Sequence, residues 1–209
     1  MFTRDEEFWS LAIVKRLIIG ITGASGVIYG IRLLELLQQD SVVETHLVMS
    51  SSARRTIPLE TDWGLPEVEA LADKVHNNED IAATISSGSF HNDGMIVAPC
   101  TIKTLSGIVH SYTDSLLTRA ADVVLKGGRK LVLMPREVPL HAGHCKLLFE
   151  AAQMRIGISP PMPAFYNRPQ TIDDLINHNL GRVLDLFSID IGNVKRWTGT
   201  DKQTVSPLR

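Results

Sequence analysis

The fold is decided by residues 15–30, KRLIIGITGASGVIYG, where a short β-rich apolar run is followed by glycines and then by apolar residues at helical spacing. This order predicts a strand, a tight turn and a helix. Glycines at positions 20, 23, 26 and 30 let a ligand approach the backbone, and Ser25 adds a hydroxyl beside the amides that begin the helix. The pattern favours a site for an anionic cofactor. An ordinary strand-to-helix turn is the alternative, because glycine-rich turns are common in α/β proteins.

The spacing of these glycines separates the turn from two better-known motifs. Residues 20–26 run GITGASG, which does not match the G-x-G-x-x-G fingerprint of dinucleotide-binding proteins. Ser25 also lacks the G-x-S-x-G spacing of a hydrolase nucleophile. The sequence therefore argues against a standard NAD site and against a serine hydrolase, while the anion-binding interpretation stands.

Composition sets the size and class of the protein. With 209 residues, of which 44% are hydrophobic and 21% charged, the chain is long enough for one α/β domain and short for two. A net charge of −2 gives no overall attraction for nucleic acid or anionic lipid. No apolar run approaches the roughly 18 residues of a membrane span, and the two cysteines offer at most one disulfide. We expect a soluble protein of the reducing cytoplasm.

Strand-like runs alternate with helical patterns along the chain. The predicted strands are 16–21, 43–49, 94–98, 130–134 and 156–159, and the predicted helices are 26–38, 115–126 and 171–187. Alternation of this kind predicts an α/β protein with a three-layer, Rossmann-like (flavodoxin-like) parallel sheet and helices on both faces. We expect one domain at 15–198, preceded by an N-terminal extension at 1–14 and followed by a C-terminal tail at 199–209. The first fourteen residues carry acids where a signal peptide has bases.

Polar residues follow the predicted strands at four places. They are Thr22 to Gly26, Ser50 to Ser52, Pro99 to Thr104 and Pro135 to Glu137. Ligands of such sheets bind beyond the carboxyl ends of the strands, so these hydroxyls, amides and one arginine would suit a phosphate with a polar ring attached, as in a mononucleotide. Each also has a plainer interpretation: serines cap helices, and Arg136 beside Glu137 could be a surface ion pair worth under about 1 kcal/mol.

Eight longer motifs carry a resemblance to a known family. They are TGASG at 22–26, LVMS at 47–50, LETD at 59–62, ISSGSF at 85–90, IKTLSGI at 102–108, RAADVVLK at 119–126, PRE at 135–137 and PAFYNRP at 163–169. In this order they resemble the flavin prenyltransferases of the UbiX/Pad family, which work alongside UbiD-type decarboxylases. The similarity covers nearly all of residues 15–198.

The resemblance implies a transferase that attaches a dimethylallyl group from dimethylallyl phosphate to N5 and C6 of reduced FMN. The prenylated FMN would pass to a UbiD-type decarboxylase as its cofactor, in ubiquinone synthesis or in phenolic acid decarboxylation. The family works without a metal, so the departing phosphate must be held by fixed cations and hydrogen-bond donors. Family members form large homo-oligomers, often dodecamers, with active sites built from neighbouring chains.

The resemblance also implies roles for individual residues. The FMN contacts of the family fall on Gly23, Ala24, Ser25, Ser50, Thr101, Ile102, Lys103, Thr104 and Arg136. The prenyl phosphate contacts fall on Arg119, Lys126, Arg136, Tyr166 and Arg182. The catalytic positions fall on Ser25, Glu60, Lys126, Glu137 and Trp197, the acids moving protons on and off the flavin and the tryptophan facing the prenyl group. Several cations around one small phosphate would be costly to bury without the anion that neutralises them.

Plainer roles stay open for some of these residues. Lys126 could pair with Asp122 on its helix, and Arg182 could pair with Asp185. Tyr166 and Trp197 could be core or interface aromatics. The set His141, His144 and Cys145 lacks a second ligand pair for a metal, and Cys100 lies in a turn needed for FMN, so neither is expected to be a functional centre.

Two other functions remain as alternatives. The related FMN-dependent cysteine decarboxylases share the fold and need a catalytic histidine, for which His76, His91 and His110 are available. The PRE and PAFYNRP segments favour prenyl transfer instead. A flavin carrier without enzymatic activity is the third hypothesis, and it differs from the first in making no product.

Overall fold

The computed structural model describes residues 14–190 and Gly192. Its strands are β1 (Lys15–Ile21), β2 (Val43–Met49), β3 (Lys74–His76), β4 (Gly94–Cys100), β5 (Lys130–Pro135) and β6 (Gly157–Ile158). Its helices are α1 (Ile28–Gln38), α2 (Ser51–Glu60), α3 (Leu65–Glu69), α4 (Ile102–Val109), α5 (Leu116–Lys126), α6 (Ala142–Gln153) and α7 (Ile172–Asp185). All six strands pair in parallel within one sheet. The predicted α/β class is confirmed.

The strand order places a crevice at a defined point of the sheet. The order is β3-β2-β1-β4-β5-β6, so the chain runs outward from β1 in one direction and, after crossing back to β4, in the other. Gly20 on β1 pairs with Val48 of β2 on one side and with Val97 of β4 on the other. Where the direction reverses, the connections after β1 and β4 diverge and leave room for a ligand at the carboxyl ends of both strands.

Helices cover both faces of the sheet. On one face, α5 lies against β2, β4 and β5, and its Leu117 approaches Gly20 so closely that a Cβ there would be 3.3 Å from the leucine side chain. On the other face, α1 contacts β1, β2 and β4, and its Gly30 lies against Ile21 of β1. The successive residues Gly20 and Ile21 of β1 therefore face opposite layers, as the period of a strand requires.

Several elements differ from those predicted. The five predicted strands exist with bounds shifted by a few residues, but β3 was missed because Lys74 and Val75 are exposed and form no apolar run. Helix α1 begins at Ile28 rather than at residue 26, since Gly26 has a φ of +97° that no helix accepts. Helix α2 was missed because it buries only Ala53 and Ile57. Helices α3, α4 and α6 were also not predicted.

The chain divides into two compact units between Pro160 and Pro161. The described part of the second unit contains α7, whose first turn is closed by a capping box: the Thr171 hydroxyl accepts from the Asp174 amide at 3.1 Å, and the Asp174 carboxylate accepts from the Thr171 amide at 3.0 Å. The domain limits at 1–14, 15–198 and 199–209 stay a prediction, because both termini lie outside the described residues. Within those residues no helix is both long and apolar enough to cross a bilayer.

A buried histidine pair joins β2 to the edge strand β3. His46, which is 1% exposed, has its Nδ1 atom 2.9 Å from Nε2 of His76, and its own Nε2 lies 3.2 Å from a Glu44 carboxylate oxygen. Lys74 and Arg16 also bind that carboxylate and lower the pKa of Glu44 to about 2. Burial is the main cause that lowers the pKa of both His46 and His76 from the ordinary 6.5. The fold therefore favours neutral imidazoles here.

We expect the free energy of unfolding to decrease as the pH falls below about 6.5, the ordinary pKa of histidine. The folded-state pKa values of His46 and His76 are lowered, so the unfolded chain takes up protons first, and the loss is at most about 1.4 kcal/mol per pH unit for each histidine. Urea unfolding at several pH values between 8 and 5 measures this slope. His76→Gln should reduce the slope, while the exposed His91 serves as the matched control in His91→Gln. A pH-independent parent would contradict the prediction.

Candidate functional site

A cavity of about 680 Å³ lies at the carboxyl ends of β1, β2 and β4. Most of its lining residues are small and carry a polar group, in many of them a hydroxyl. The lining residues are Gly23, Ser50, Ser51, Ser52, Asn78, Thr101, Lys103, Thr104, Ser106, Gly107, His110, Tyr112, Asp114, Ser115, Leu117 and Thr118. Its volume falls within the range of small-molecule and cofactor sites. The cavity is at the strand-order reversal, where the topology leaves room for it.

Helices α2, α4 and α5 begin at the cavity wall, and α2 and α4 do so directly after strands. Ser50 caps α2 by accepting from the Ala53 amide at 3.1 Å, and Thr101 caps α4 by accepting from the Thr104 amide at 3.1 Å. The first amides of a helix have no carbonyl partner within it, and the helix dipole adds partial positive charge there. Both helix starts therefore offer N–H groups to an anion in the cavity.

Gly23 brings the first glycine turn against the start of α2. A Cβ atom on Gly23 would overlap the side chain of Ser52 and would come within 2.8 Å of the Ser52 carbonyl carbon. Only glycine fits this contact without displacing backbone. The turn after β1 and the turn after β2 thus form one continuous wall.

Two of the predicted catalytic residues lie together beside this wall. A Glu60 carboxylate oxygen accepts from the Gly26 amide at 2.7 Å and lies 3.4 Å from the Val27 amide. Ser25, which directly precedes Gly26, is exposed. The last residue of α2 is therefore held at the start of α1, within the same turn as Ser25.

The predicted cations of α5 lie beside the segment 85–90. The Arg119 guanidinium donates to the Ser86 carbonyl at 3.3 Å and pairs with Asp122 at 3.0 Å. Lys126 is exposed two turns further along, and a Cβ on Gly88 would lie 3.5 Å from its Cε atom. Asp122 thus pairs with Arg119 in the structure rather than with Lys126. Arg129 also donates to this segment, to the Gly88 carbonyl at 3.0 Å and the Phe90 carbonyl at 2.9 Å.

Arg136 and Glu137 leave the end of β5 towards solvent. The Arg136 amide donates to the Cys100 carbonyl at 3.2 Å, which places Arg136 next to the turn that begins with Thr101. Glu137 is exposed, and a carboxylate oxygen of it accepts from the Val138 amide at 3.2 Å. The side chains of these neighbours are therefore available to a ligand at the sheet edge.

The remaining predicted residues belong to the second unit or to the undescribed terminus. Tyr166 is 52% exposed, and its hydroxyl lies 3.1 Å from Nε2 of His178. Arg182 is exposed and lies 3.5 Å from Asp185, as in the plainer interpretation of this pair. Trp197 is outside the described residues.

The structure therefore assembles part of the predicted set. Among residues 14–160, the cavity wall includes five of the predicted positions, Gly23, Ser50, Thr101, Lys103 and Thr104. Ala24, Ser25, Glu60, Ile102, Arg119, Lys126, Arg136 and Glu137 are not among its lining residues. No sequence pattern assigned the lining residues between 106 and 118, on the opposite wall, or Asn78 to the site. Only the S-x-x-T capping pattern of Ser115 and Thr118 hinted at a helix start there.

Cys100 and the pair His141 and His144, which the sequence does not predict to be functional centres, have structural roles. Cys100 is fully buried, and burial raises the pKa of its thiol to about 12, which disfavours the nucleophilic thiolate. His141 caps α6 by accepting from the Gly143 amide at 3.0 Å, and its ring lies against that of His144. In the part of the chain that the structure describes, no cluster of three or more histidine, cysteine or acidic side chains could hold a metal ion.

Comparison with solved structures supports the fold and places the chain among flavin-binding proteins. AnUbiX, crystallised with FMN and dimethylallyl pyrophosphate, is 48% identical with a TM-score of 0.87, over 90% of this chain and 99% of that one. A dodecameric FMN-dependent UbiX-like decarboxylase from Escherichia coli O157:H7 is 54% identical with a TM-score of 0.87, over 88% and 100%. Peptidyl-cysteine decarboxylase EpiD, at 19% identity and a TM-score of 0.60, shares the fold alone.

Sequence comparison identifies the same family over most of the chain. The Flavoprotein family matches residues 12–178. Flavin prenyltransferase UbiX of Escherichia coli strain K12 is 61% identical over 188 residues, which are 89% of this chain and 100% of that protein. The chain therefore belongs to the Flavoprotein family and, within it, to the UbiX-type flavin prenyltransferases.

Proposed function

We propose that this protein transfers a dimethylallyl group from dimethylallyl phosphate to reduced FMN, forming bonds at N5 and C6 and releasing prenylated FMN. The single observation that carries the proposal is the polar cavity at the strand-order reversal, whose wall contains five of the residues that the family resemblance assigns to FMN. FMN supplies the nucleophilic ring atoms of the reaction. The residues of this chain bind FMN and the prenyl donor, orient them and exchange protons with the flavin.

The donors of the cavity suit the phosphate of FMN. Ser50 and Thr101 cap the helices that begin there, and Thr104 and Lys103 follow on the first turn of α4. Hydroxyl groups, unpaired helix amides and one ammonium group are the donors that a phosphate monoester requires. Gly23 keeps the wall formed by the turns after β1 and β2 free of a side chain at its position, so a flat ring could lie close to the backbone there.

Cations beside the segment 85–90 suit the second phosphate, that of the prenyl donor. Arg119 and Lys126 lie on one side of α5, and both are next to this segment. As the C–O bond of the donor breaks, negative charge grows on the phosphate oxygens, and a fixed guanidinium and ammonium group stabilise it there. In this proposal they take the place that magnesium has in most prenyl transfers, as the resemblance implies.

The acids suit the proton transfers that a new C–N and C–C bond on the flavin require. Glu60 is held by the Gly26 amide beside Ser25, and Glu137 is exposed at the end of β5. A carboxylate so placed can accept a proton from a ring carbon and return one, which is general acid–base catalysis. Arg136 lies next to Thr101 and would help to orient FMN at this edge of the sheet.

Assembly and delivery complete the proposal. We infer a homo-oligomer with active sites built from neighbouring chains, as the resemblance implies, since the similar decarboxylase from E. coli O157:H7 is dodecameric. A UbiD-type decarboxylase in the cytoplasm would receive the product. Both statements extend the family resemblance, and size-exclusion chromatography with light scattering measures the first of them.

Anaerobic incubation with reduced FMN and dimethylallyl phosphate, in the presence of a metal chelator, tests the proposal. We expect mass spectrometry of the extracted flavin to show the mass gain of one C5 unit. Unchanged FMN from a protein that demonstrably binds it would contradict the proposal and favour the carrier. Oxidative loss of the carboxyl group from a cysteine-ending peptide would favour the cysteine decarboxylase.

Glu137→Gln should lower the rate of product formation by about 100-fold, because general acid–base groups contribute at least that much. FMN affinity should stay near that of the parent, since the substitution keeps the size of the side chain and removes the proton-accepting carboxylate. Stopped-flow absorbance and single-turnover mass spectrometry give the rate. Glu67→Gln on α3 is the matched control, because Glu67 is also exposed and its carboxylate also accepts from a backbone amide, that of Gly64 at 2.7 Å. Equal rates in the two variants would remove Glu137 from the mechanism.

A further inference from the structure

One buried hydroxyl connects the turn after β1 to the turn after β4, and both turns contribute to the cavity. Thr22, which is 1% exposed, donates from Oγ1 to the Pro99 carbonyl at 2.8 Å and accepts at the same atom from the Thr101 amide at 2.8 Å. Its backbone amide also donates to the Pro99 carbonyl at 3.2 Å. A hydroxyl has one proton to donate, so Oγ1 uses its donor and one acceptor position within this contact.

The bonded partners of Thr22 lead directly to cavity residues. Gly23, the residue that follows Thr22, lines the cavity, and so does Thr101, the residue after β4. Thr101 in turn accepts from the Thr104 amide and donates to the Thr104 hydroxyl at 2.9 Å, which fixes the start of α4. The distance between the glycine wall and the α4 wall is therefore set through Thr22.

We propose that Thr22 is a positioning residue for FMN: its hydroxyl fixes the glycine turn against the start of α4, and the cavity holds its binding geometry only while that hydroxyl is present. Thr22 is itself outside the cavity lining and acts through Gly23 and Thr101. The inference rests on the proposed FMN site but not on prenyl transfer, since it concerns binding alone. Without the hydroxyl, the Thr101 amide loses its partner and the Pro99 carbonyl keeps only the Thr22 amide, so the start of α4 is no longer fixed against the glycine turn.

The chain contains a matched control for this change. Thr45 on β2 is also 1% exposed, and its hydroxyl also donates once and accepts once, to the Asp73 carboxylate at 2.9 Å and from the Asp73 amide at 3.0 Å. Thr45 is not among the cavity residues. Thr22→Val and Thr45→Val therefore delete the same group in the same bonding state at equal burial, and differ in whether the group adjoins the FMN site.

Titration of the purified protein with FMN, followed by quenching of flavin fluorescence, tests the proposal together with thermal unfolding. We expect both valine variants to lower the Tm, and only Thr22→Val to raise the Kd for FMN, by about tenfold. Thr22→Ser, which restores the hydroxyl, should return the Kd to near the parent value, and Thr22→Ala should not.

Equal Kd values in Thr22→Val and the parent would overturn the proposal, and so would equal losses of affinity in the two valine variants. Amide hydrogen exchange on the parent gives a test that needs no variant. The Thr101 amide should be protected in the absence of FMN, since Thr22 already binds it, and exchange at the rate of an exposed amide would also overturn the proposal. These readouts stay informative if the parent makes no prenylated product, because they measure binding and exchange.

Discussion

Gly23→Ala should weaken FMN binding by about a thousandfold while leaving a folded protein. The added Cβ overlaps the Ser52 side chain and comes within 2.8 Å of the Ser52 carbonyl carbon, so backbone must move at a point where the cavity wall is built from two turns. A shift of about 1 Å would misalign several hydrogen bonds to the ligand, and three such bonds at about 1.4 kcal/mol each give that factor. Equilibrium titration with FMN measures it.

A second glycine substitution controls for the change in backbone entropy. Gly64 precedes α3, away from the cavity, and a Cβ there would meet only the flexible end of Glu67 at 3.1 Å. Gly64→Ala should therefore bind FMN like the parent. If Gly23→Ala also bound FMN within tenfold of the parent, the turn after β1 would not be part of the FMN site, and the proposed function would lose its main support.

Gly30→Ala should destabilise the whole protein by about 3 kcal/mol, the upper end of the usual cost of overpacking in a filled core. In an exposed helix the same substitution stabilises by about 0.5 to 1 kcal/mol, so the expected sign is reversed. Gly30 lies where α1 crosses the sheet: a Cβ would overlap the Ala98 carbonyl oxygen and lie 2.7 Å and 2.8 Å from side-chain atoms of Ile21. Helix and sheet would have to separate. Urea unfolding followed by circular dichroism measures the difference.

Gly107 on α4 is the matched control for stability. A Cβ on Gly107 would meet its nearest atoms, in Thr118 and Tyr112, at 3.4 Å, an ordinary contact distance. Gly107→Ala should therefore be neutral or slightly stabilising. A parent-like unfolding midpoint for Gly30→Ala would show that α1 can move without cost and would contradict the close packing described here.

Local signals predicted the elements whose residues are mostly buried. β1, β2, β4 and β5 are apolar runs, and α5 places Leu116, Leu117, Ala120, Val123 and Val124 on a buried side, so period and length sufficed for them. β3 and α2 are held by partners far away in sequence. His76 is paired by His46, and Glu60 is bound by the Gly26 amide, and neither contact leaves a local pattern.

The parts of the candidate site that carry a local sequence signal were predictable, and the other parts were not. The glycine turn and the hydroxyls that follow strands carry recognisable signals, and the cavity contains Gly23, Ser50 and Thr101 where these signals occur. Asn78 gave none, although its side-chain oxygen accepts from the Leu117 amide at 3.1 Å and ties a distant loop to α5. The roles of Lys126, Glu137 and Tyr166 came from resemblance alone, because cations, acids and phenols are common on any surface.

The arginine contacts to the segment 85–90 have a consequence for protein engineering. Alternate carbonyls of this segment, at Ser86, Gly88 and Phe90, accept from guanidinium groups of Arg119 and Arg129, which stand on α5 and just beyond its end. The segment 85–90 and helix α5 therefore form one structural unit. A chimera that imports the segment from a relative will keep its shape only if both arginines are transplanted with it, and recombination libraries should place their crossover points outside 85–129.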